Sequence, residues 1–384
     1  MRSAALIVLF LLLYAMKLNA QQVGHTTVTF IDSTRNNRQI TTEVYYPATT
    51  AGNNTPIASG SFPLIAFGHG FVMTWMAYQN FWDLLVPEGY ILAFPTTESG
   101  FTPDHADFGN DLKFLITKIQ NSGAGASVPQ TSVGAASAIM GHSMGGGSAF
   151  LSAANNTTIT TIISFAAANT NPSAITAAHL ISVPCLLFSG SNDCVTPYPQ
   201  HQDIMYDSTT AVYKTQVYIN GGGHCFFANY NFNCAFGEAT CTPNPAITRA
   251  EQQAVVNDFL KPWLAYFLKG DCTKAQEFQD SLTVSYRITY RQSLSIACPT
   301  VITEFNSAKN IVSVFPNPAD GFLNIRHYEE NLECITIYDI TNKQILEYYF
   351  AIPKSEVSIA TTSLKSGIYF ARVNDKHWIK FIKK

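Results

Sequence analysis

The 384-residue sequence predicts an α/β fold with a doubly wound, mostly parallel sheet, followed by a small all-β sandwich. In the first part, short apolar runs such as 136–140 and 184–188 alternate with segments of helical period, which is typical of parallel sheets covered on both faces. In the second part, from Val314 onward, short strands alternate with turn signals such as Asp320-Gly321, and no helical period is evident.

Eight strands and five helices are predicted in chain order. The strands cover residues 26–31, 41–46, 64–67, 90–94, 136–140, 160–165, 184–188 and 214–219. The helices cover residues 75–85, 107–119, 145–153, 201–206 and 249–268. These patterns predict three parts: a leader over residues 1–20, an α/β catalytic domain over 21–300 and a β-sandwich over 301–384.

The first twenty residues have the pattern of a secretory signal peptide. Arg2 precedes an apolar run over 4–16, and the small residue Ala20 offers a cleavage site. The run is too short to span a bilayer, and the alternative is a buried N-terminal helix. Because no other segment approaches transmembrane length, we expect a secreted protein without stable membrane insertion.

Charge excludes some classes of partner. Charged residues make up 13% of the chain and the net charge is −3, so the protein lacks the basic field that nucleic acids require. The deficit lies in residues 21–300, which hold 28 charged residues, whereas the 84 residues of 301–384 hold 19. The first domain therefore has a weakly charged surface, which suits an uncharged partner.

The sharpest motif is Gly141-His142-Ser143-Met144-Gly145, between a predicted strand and a predicted helix. Gly-x-Ser-x-Gly in this context is the nucleophile elbow of α/β-hydrolases, where a strained turn exposes the serine hydroxyl. We therefore predict an α/β-hydrolase fold with Ser143 as the nucleophile. The alternative is a glycine-rich helix start without catalysis.

A serine nucleophile needs a base and an acid, which follow it in the order acid, then histidine, in this fold. His224 follows the strand 214–219 and a run of glycines, whereas His201 opens a predicted surface helix. Asp193 follows the strand 184–188, whereas Asp203 and Asp207 lie on or beyond the next helix; His327 and His377 belong to the β-rich tail. The predicted triad is Ser143, Asp193 and His224.

Two backbone N–H groups are predicted to form an oxyanion hole. Met144 directly follows the nucleophile, and Phe71 follows Gly68-His69-Gly70 at the end of the strand 64–67. The cluster Asp104, His105, Asp107 and Asp111 could suggest a metal site. Acids at a helix start are explained more simply by the helix dipole, and no metal or organic cofactor is expected.

Eight cysteines fit an exported protein, although they allow 105 pairings. Asp193 and His224 are each followed by cysteine, so a bond between Cys194 and Cys225 would join the acid loop to the base loop. We also expect the local pairs Cys234–Cys241 and Cys272–Cys298. Cys185 and Cys334 would then be free.

Residues 24 to about 300 resemble the bacterial cutinases and polyester hydrolases, which include poly(ethylene terephthalate) hydrolases. The resemblance rests on residues 141–147, on Ser189-Gly190-Ser191-Asn192-Asp193 and on Gly222-Gly223-His224. It implies ester contacts by Phe71 and Met144, and by His142 beside the nucleophile. The tryptophan that the family often carries after the strand 160–165 is missing. An aromatic insertion over 226–241 could compensate for it with Phe226, Phe227, Tyr230 and Phe232.

Residues 311–384 resemble the C-terminal sorting domain of the type IX secretion system. The matching stretches are Val314-Phe315-Pro316-Asn317-Pro318, residues 335–339, residues 364–369 and the basic end 380–384. This resemblance implies the secretion machinery as a partner and an extracellular or outer-membrane-surface location.

Together these features predict a secreted serine ester hydrolase, monomeric, acting on uncharged esters such as polyesters. A peptidase or an esterase of lipids or small molecules with the same fold is the alternative among enzymes. A surface-binding protein that has kept the fold without chemistry is the alternative from another class.

Overall fold

The computed structural model describes residues 21–298, 311–339 and 343–384. They belong to two compact units, divided between residues 299 and 300. The signal peptide predicted over 1–20 lies outside the described residues. No helix within the described ranges has the length and apolar character needed to cross a membrane.

The first unit contains a ten-stranded sheet. Its strands are β1 (Gln22–Asp32), β2 (Arg38–Ala48), β3 (Gly52–Asn53), β4 (Phe62–Gly68), β5 (Ile91–Pro95), β6 (Val133–His142), β7 (Thr161–Phe165), β8 (Cys185–Gly190), β9 (Lys214–Ile219) and β10 (Ile288–Gln292). They pair in the order β10-β9-β8-β7-β6-β4-β5-β2-β1-β3. The six strands from β9 to β5 are parallel, and β2 and β10 pair antiparallel at either side. The predicted α/β fold is confirmed.

Among the described residues, eight α-helices connect these strands. They are α1 (Gln79–Leu85), α2 (His105–Ser122), α3 (Met144–Ala153), α4 (Ala174–Ala178), α5 (Gln202–Ser208), α6 (Phe232–Glu238), α7 (Arg249–Lys269) and α8 (Lys274–Val284). The sequence analysis did not predict α4, α6 and α8. α4 has only five residues, which is too short to show a helical period. In α6 only Glu238 is buried, so no buried apolar face marks this helix in the sequence. In α8 the buried side chains of Ala275, Phe278 and Leu282 do recur at helical spacing, and this signal was overlooked.

Two apolar cores lie on opposite faces of this sheet. Ile65 and Phe67 of β4 point into a core completed by α1, α7 and α8, whereas their neighbours Leu64 and Ala66 point into a core completed by α2, α3, α4 and α5. Side chains of a strand alternate between faces, so a central strand covered on both sides is apolar throughout. The carboxyl ends of β4, β6, β8 and β9 therefore meet along one edge, where their loops carry the polar side chains.

The second unit is built from strands alone within its described residues. They are β11 (Val312–Asp320), β12 (Phe322–His327), β13 (Leu332–Asp339), β14 (Gln344–Lys354), β15 (Glu356–Ala360), β16 (Gly367–Val373) and β17 (His377–Lys383). They pair in the order β14-β13-β16-β17-β11-β12-β15, antiparallel except for β11 with β17. Leu323, Ile337 and Phe381 belong to a separate core, which makes this unit an independent packing entity.

Candidate active site

Ser143 lies at a sharp turn between β6 and α3. Its φ of 55° and ψ of −118° are sterically unfavourable for a residue with a Cβ, so the surrounding structure must hold it there. Its N–H donates to the carbonyl of Phe165 at 2.9 Å, and its carbonyl accepts the N–H of Ala168 at 2.9 Å. A Cβ on Gly145 would lie 2.1 Å from the carbonyl oxygen of Gly68, so only glycine allows α3 to start this close to β4.

The loops after β8 and β9 bring Asp193 and His224 together. The Nδ1 of His224 donates to Oδ2 of Asp193 at 2.8 Å, and both side chains are buried. The other carboxylate oxygen of Asp193 accepts the N–H groups of Val195 and Thr196 at 2.8 and 2.9 Å. The proton on Nδ1 leaves Nε2 of the neutral ring with a free lone pair, as a general base requires.

Asp193 remains ionised in this environment. Burial raises the pKa of its carboxyl, but the charge and hydrogen bond of His224, together with hydrogen bonds from Thr196, lower the pKa below its ordinary value. The hydroxyl of Thr196 contributes directly, because it donates to Oδ2 at 2.9 Å. Thr196 was not predicted from the sequence, although its position three residues after an acid in a loop is typical of such local side-chain contacts.

His142 supports the backbone of His224. Its Nε2 donates to the carbonyl of His224 at 3.0 Å, so its Nδ1 is the acceptor for the hydroxyl of Tyr78 at 2.9 Å. Tyr78 in turn accepts the N–H of Gly70 at 2.8 Å. Burial, and then the nearby His224, lower the pKa of His142 to about 3, so the ring is neutral. A buried chain of hydrogen bonds therefore joins the loop after β4 to the loop of His224.

The two predicted oxyanion donors lie at the start of α3 and in the loop after β4. Met144 is the first residue of α3, and the N–H groups at a helix start have no carbonyl partner within the helix. Phe71 follows Gly70 in the loop after β4, and its side chain is partly exposed. The side chain of Met144 is buried, and the role of both N–H groups in an oxyanion hole stays a prediction.

Ser143 and His224 line one cavity of about 310 Å³. Its other lining residues are mostly apolar: Phe71, Val72, Met73, Phe101, Val195, Phe232, Asn233, Cys234, Phe236 and Gly237. The ring centroids of Phe71 and Phe101 lie 6.4 Å apart, and those of Phe232 and Phe236 are separated by the same distance. The cavity thus has a polar floor at Ser143 and His224, and an apolar wall that includes these four rings.

A comparison with family models identifies the family of the chain. Residues 16–240 match the model of a family described as PET hydrolase-like, over more than half of the chain. The chain belongs to the PET hydrolase-like family. Residues 313–384 match the model of a secretion system C-terminal sorting domain. Comparison with curated proteins gives no match. This PET hydrolase-like protein is therefore a secreted hydrolase that carries a type IX sorting tail.

Two predicted substrate contacts lie elsewhere in this PET hydrolase-like unit. His142 is completely buried and bonded to Tyr78 and His224, so its role is internal. Phe226 does not line the cavity, and the guanidinium of Arg249 lies over its ring, 4.6 Å from the ring centroid. The aromatic insertion does reach the cavity, through Phe232 and Phe236. The first was considered in the sequence analysis and the second was missed.

The disulfide prediction was wrong for two of the three bonds. The structure pairs Cys194 with Cys241 and Cys225 with Cys234, and it confirms Cys272–Cys298. The prediction assumed that residues following Asp193 and His224 face each other because those two side chains do. Instead, each cysteine faces the segment that contains α6, which is thereby attached to both loops. Cys185 and Cys334 are free, as expected.

The acidic cluster at the start of α2 has partners within the protein. Asp104 caps the helix by accepting the N–H of Asp107 at 2.9 Å. The buried Asp111 pairs with Arg35 at 2.6 Å and with Arg38 at 2.8 Å. These contacts account for the acids by helix capping and ion pairing.

One group of three potential metal ligands lies among the described residues, in the second unit. His327, Glu330 and His377 place ligand atoms within 4.8 Å of one another. However, Nδ1 of His327 accepts the N–H of Glu330 at 2.8 Å, so the neutral ring carries its proton on Nε2. A ring held in this tautomer offers no free lone pair to a metal ion.

Proposed function

We propose that the protein is a serine ester hydrolase that acts through an acyl-enzyme, with Ser143, His224 and Asp193 as its triad. The observation that carries this proposal is the buried His224–Asp193 pair, which opens into the same cavity as the strained Ser143. A base oriented by an acid, beside a serine hydroxyl that lines the same cavity, is the arrangement that activates serine.

The proposed reaction proceeds in two halves. Oγ of Ser143 attacks the ester carbonyl carbon while Nε2 of His224 takes the hydroxyl proton, and the N–H groups of Phe71 and Met144 stabilise the oxyanion. Collapse breaks the bond to the alcohol oxygen, which receives the proton from His224. Water then attacks the acyl-enzyme with His224 as base, and the released acid regenerates Ser143.

We further propose uncharged esters, and polyesters in particular, as substrates. The wall of the cavity is apolar and aromatic, and it contains no Lys, Arg, Asp or Glu. Between Phe165 and Cys185 the chain forms only the short helix α4, which is too small for a cap domain. An open apolar cavity suits a long chain or a surface better than a small ion.

The test is the full-length protein with Ser143→Ala. We expect turnover of a short-chain nitrophenyl ester and labelling by a fluorophosphonate probe to be lost together, because both require the activated hydroxyl. Ser148→Ala is the matched control, since Ser148 is a buried serine in the same helix region that the mechanism does not use. Retained labelling in Ser143→Ala would overturn the assignment. Wild-type rates on nitrophenyl ester, triglyceride, peptide and polyester film would rank the substrate classes.

A further inference from the structure

The backbone of His224 has an unusual partner at its N–H. His224 precedes a short 3₁₀ turn, Cys225–Phe227, and the first N–H groups of such a turn have no carbonyl to bind. The carboxylate of Glu238 occupies this position: its Oε1 accepts the N–H of His224 and, at 3.2 Å, the N–H of Cys225. One acceptor oxygen thus binds two consecutive peptide N–H groups, so its position fixes both of them.

Glu238 is built into this place. It is the last residue of α6 and only 6% exposed. A Cβ on Gly223 would lie 2.5 Å from Oε1, so the glycine before His224 leaves the space that the carboxylate needs. Arg249 supplies the opposite charge, and its guanidinium also donates to the carbonyls of Cys225 and Ala228.

His224 is thus held at three points. Asp193 binds Nδ1 of its ring, His142 binds its carbonyl oxygen, and Glu238 binds its N–H. With Asp193 as its only partner, the imidazole ring of His224 could change its orientation whenever the backbone of His224 moved. The hydrogen bonds to the N–H and to the carbonyl of His224 prevent that movement. This matters because a general base becomes less efficient when it is misplaced by even a small distance.

We propose that Glu238 is a positioning residue for His224, acting through the backbone N–H groups of His224 and Cys225. The inference rests on the proposed role of His224 as the base. It assigns the inner end of α6 to the chemistry, whereas Phe232 and Phe236 of the same helix line the cavity.

Two variants of the full chain separate the effect of the position of the Glu238 oxygen from the effect of its charge. Glu238→Gln keeps an oxygen at the same reach and removes the charge, whereas Glu238→Asp keeps the charge and withdraws it by one methylene. For a nitrophenyl ester we expect Glu238→Asp to lower kcat by about 10- to 100-fold with an unchanged KM, and Glu238→Gln to stay near wild type. Fluorophosphonate labelling should slow in parallel with kcat.

The control is Glu251→Asp. Glu251 also accepts a backbone N–H, that of Thr248, but it caps the exposed start of α7. This variant should not change kcat, and thermal unfolding of all three variants reports any general damage. If Glu238→Asp keeps full kcat, or if Glu238→Gln loses as much as Glu238→Asp, the proposal is overturned. A wild-type protein that neither turns over ester nor takes the probe would instead refute the proposed function.

Discussion

The floor and the wall of the cavity are constructed differently. On the floor, Ser143 and His224 are buried at the ends of β6 and β9, and hydrogen bonds fix their backbones. On the wall, Phe101, Phe232 and Phe236 are 82%, 69% and 75% exposed and are held mainly through loops and one short helix. The contrast suggests that chemistry depends on rigid placement, whereas recognition depends on apolar area.

Asp193→Asn should give the largest effect and tests the floor. An amide can present its N–H to His224 and thereby stabilise the wrong tautomer, so we expect kcat to fall by about 10⁴-fold. Rates on a soluble nitrophenyl ester measure it. Asp207→Asn is the control, because Asp207 pairs with Arg291 on the surface. A loss of less than tenfold would mean that the reaction does not depend on the orientation of His224 by Asp193.

The wall should respond differently. Removing both rings in Phe232→Ala/Phe236→Ala should lower product release from polyester film by about tenfold, since each ring contributes apolar contact area. Turnover of nitrophenyl acetate, which is too small to need these rings, should stay unchanged. Tyr286→Ala removes an exposed ring that does not line the cavity and serves as control. Equal losses on both substrates would erase the distinction between floor and wall.

The smallest expected effect concerns the buried His142 and the pH dependence of the free energy of unfolding. The pKa of His142 is about 3 when folded, against an ordinary value of 6.5, so below pH 6.5 the unfolded chain binds a proton that the folded protein does not. The free energy of unfolding should therefore be about 2 kcal/mol lower at pH 5 than at pH 7.5 because of this residue. In His142→Gln that part of the pH dependence should vanish. Denaturant unfolding at the two pH values measures it, and an identical pH dependence in both proteins would contradict the neutral, buried ring.

The sequence predicts those residues of the candidate site that lie just after a strand, and it misses those that come from other elements. Ser143, Asp193 and His224 were predicted as the triad because each follows an apolar strand, and carboxyl ends of parallel strands meet at one edge. Glu238 and Tyr78 were missed because they reach the site from other elements, by contacts that only the folded chain brings about. The cysteine pairing failed for the same reason: it depends on where α6 lies, and α6 has no buried apolar face from which periodicity could predict it.

The segment between Cys225 and Cys241 has a consequence for redesign. Cys234, in its middle, is bonded to Cys225 next to His224, and Cys241, at its end, is bonded to Cys194 next to Asp193, so the segment can be treated as a replaceable cassette. Exchanging the rings at 232 and 236 would change what the protein recognises. A transplanted cassette would also have to carry an acceptor at position 238, because otherwise new specificity would come with a loosened base.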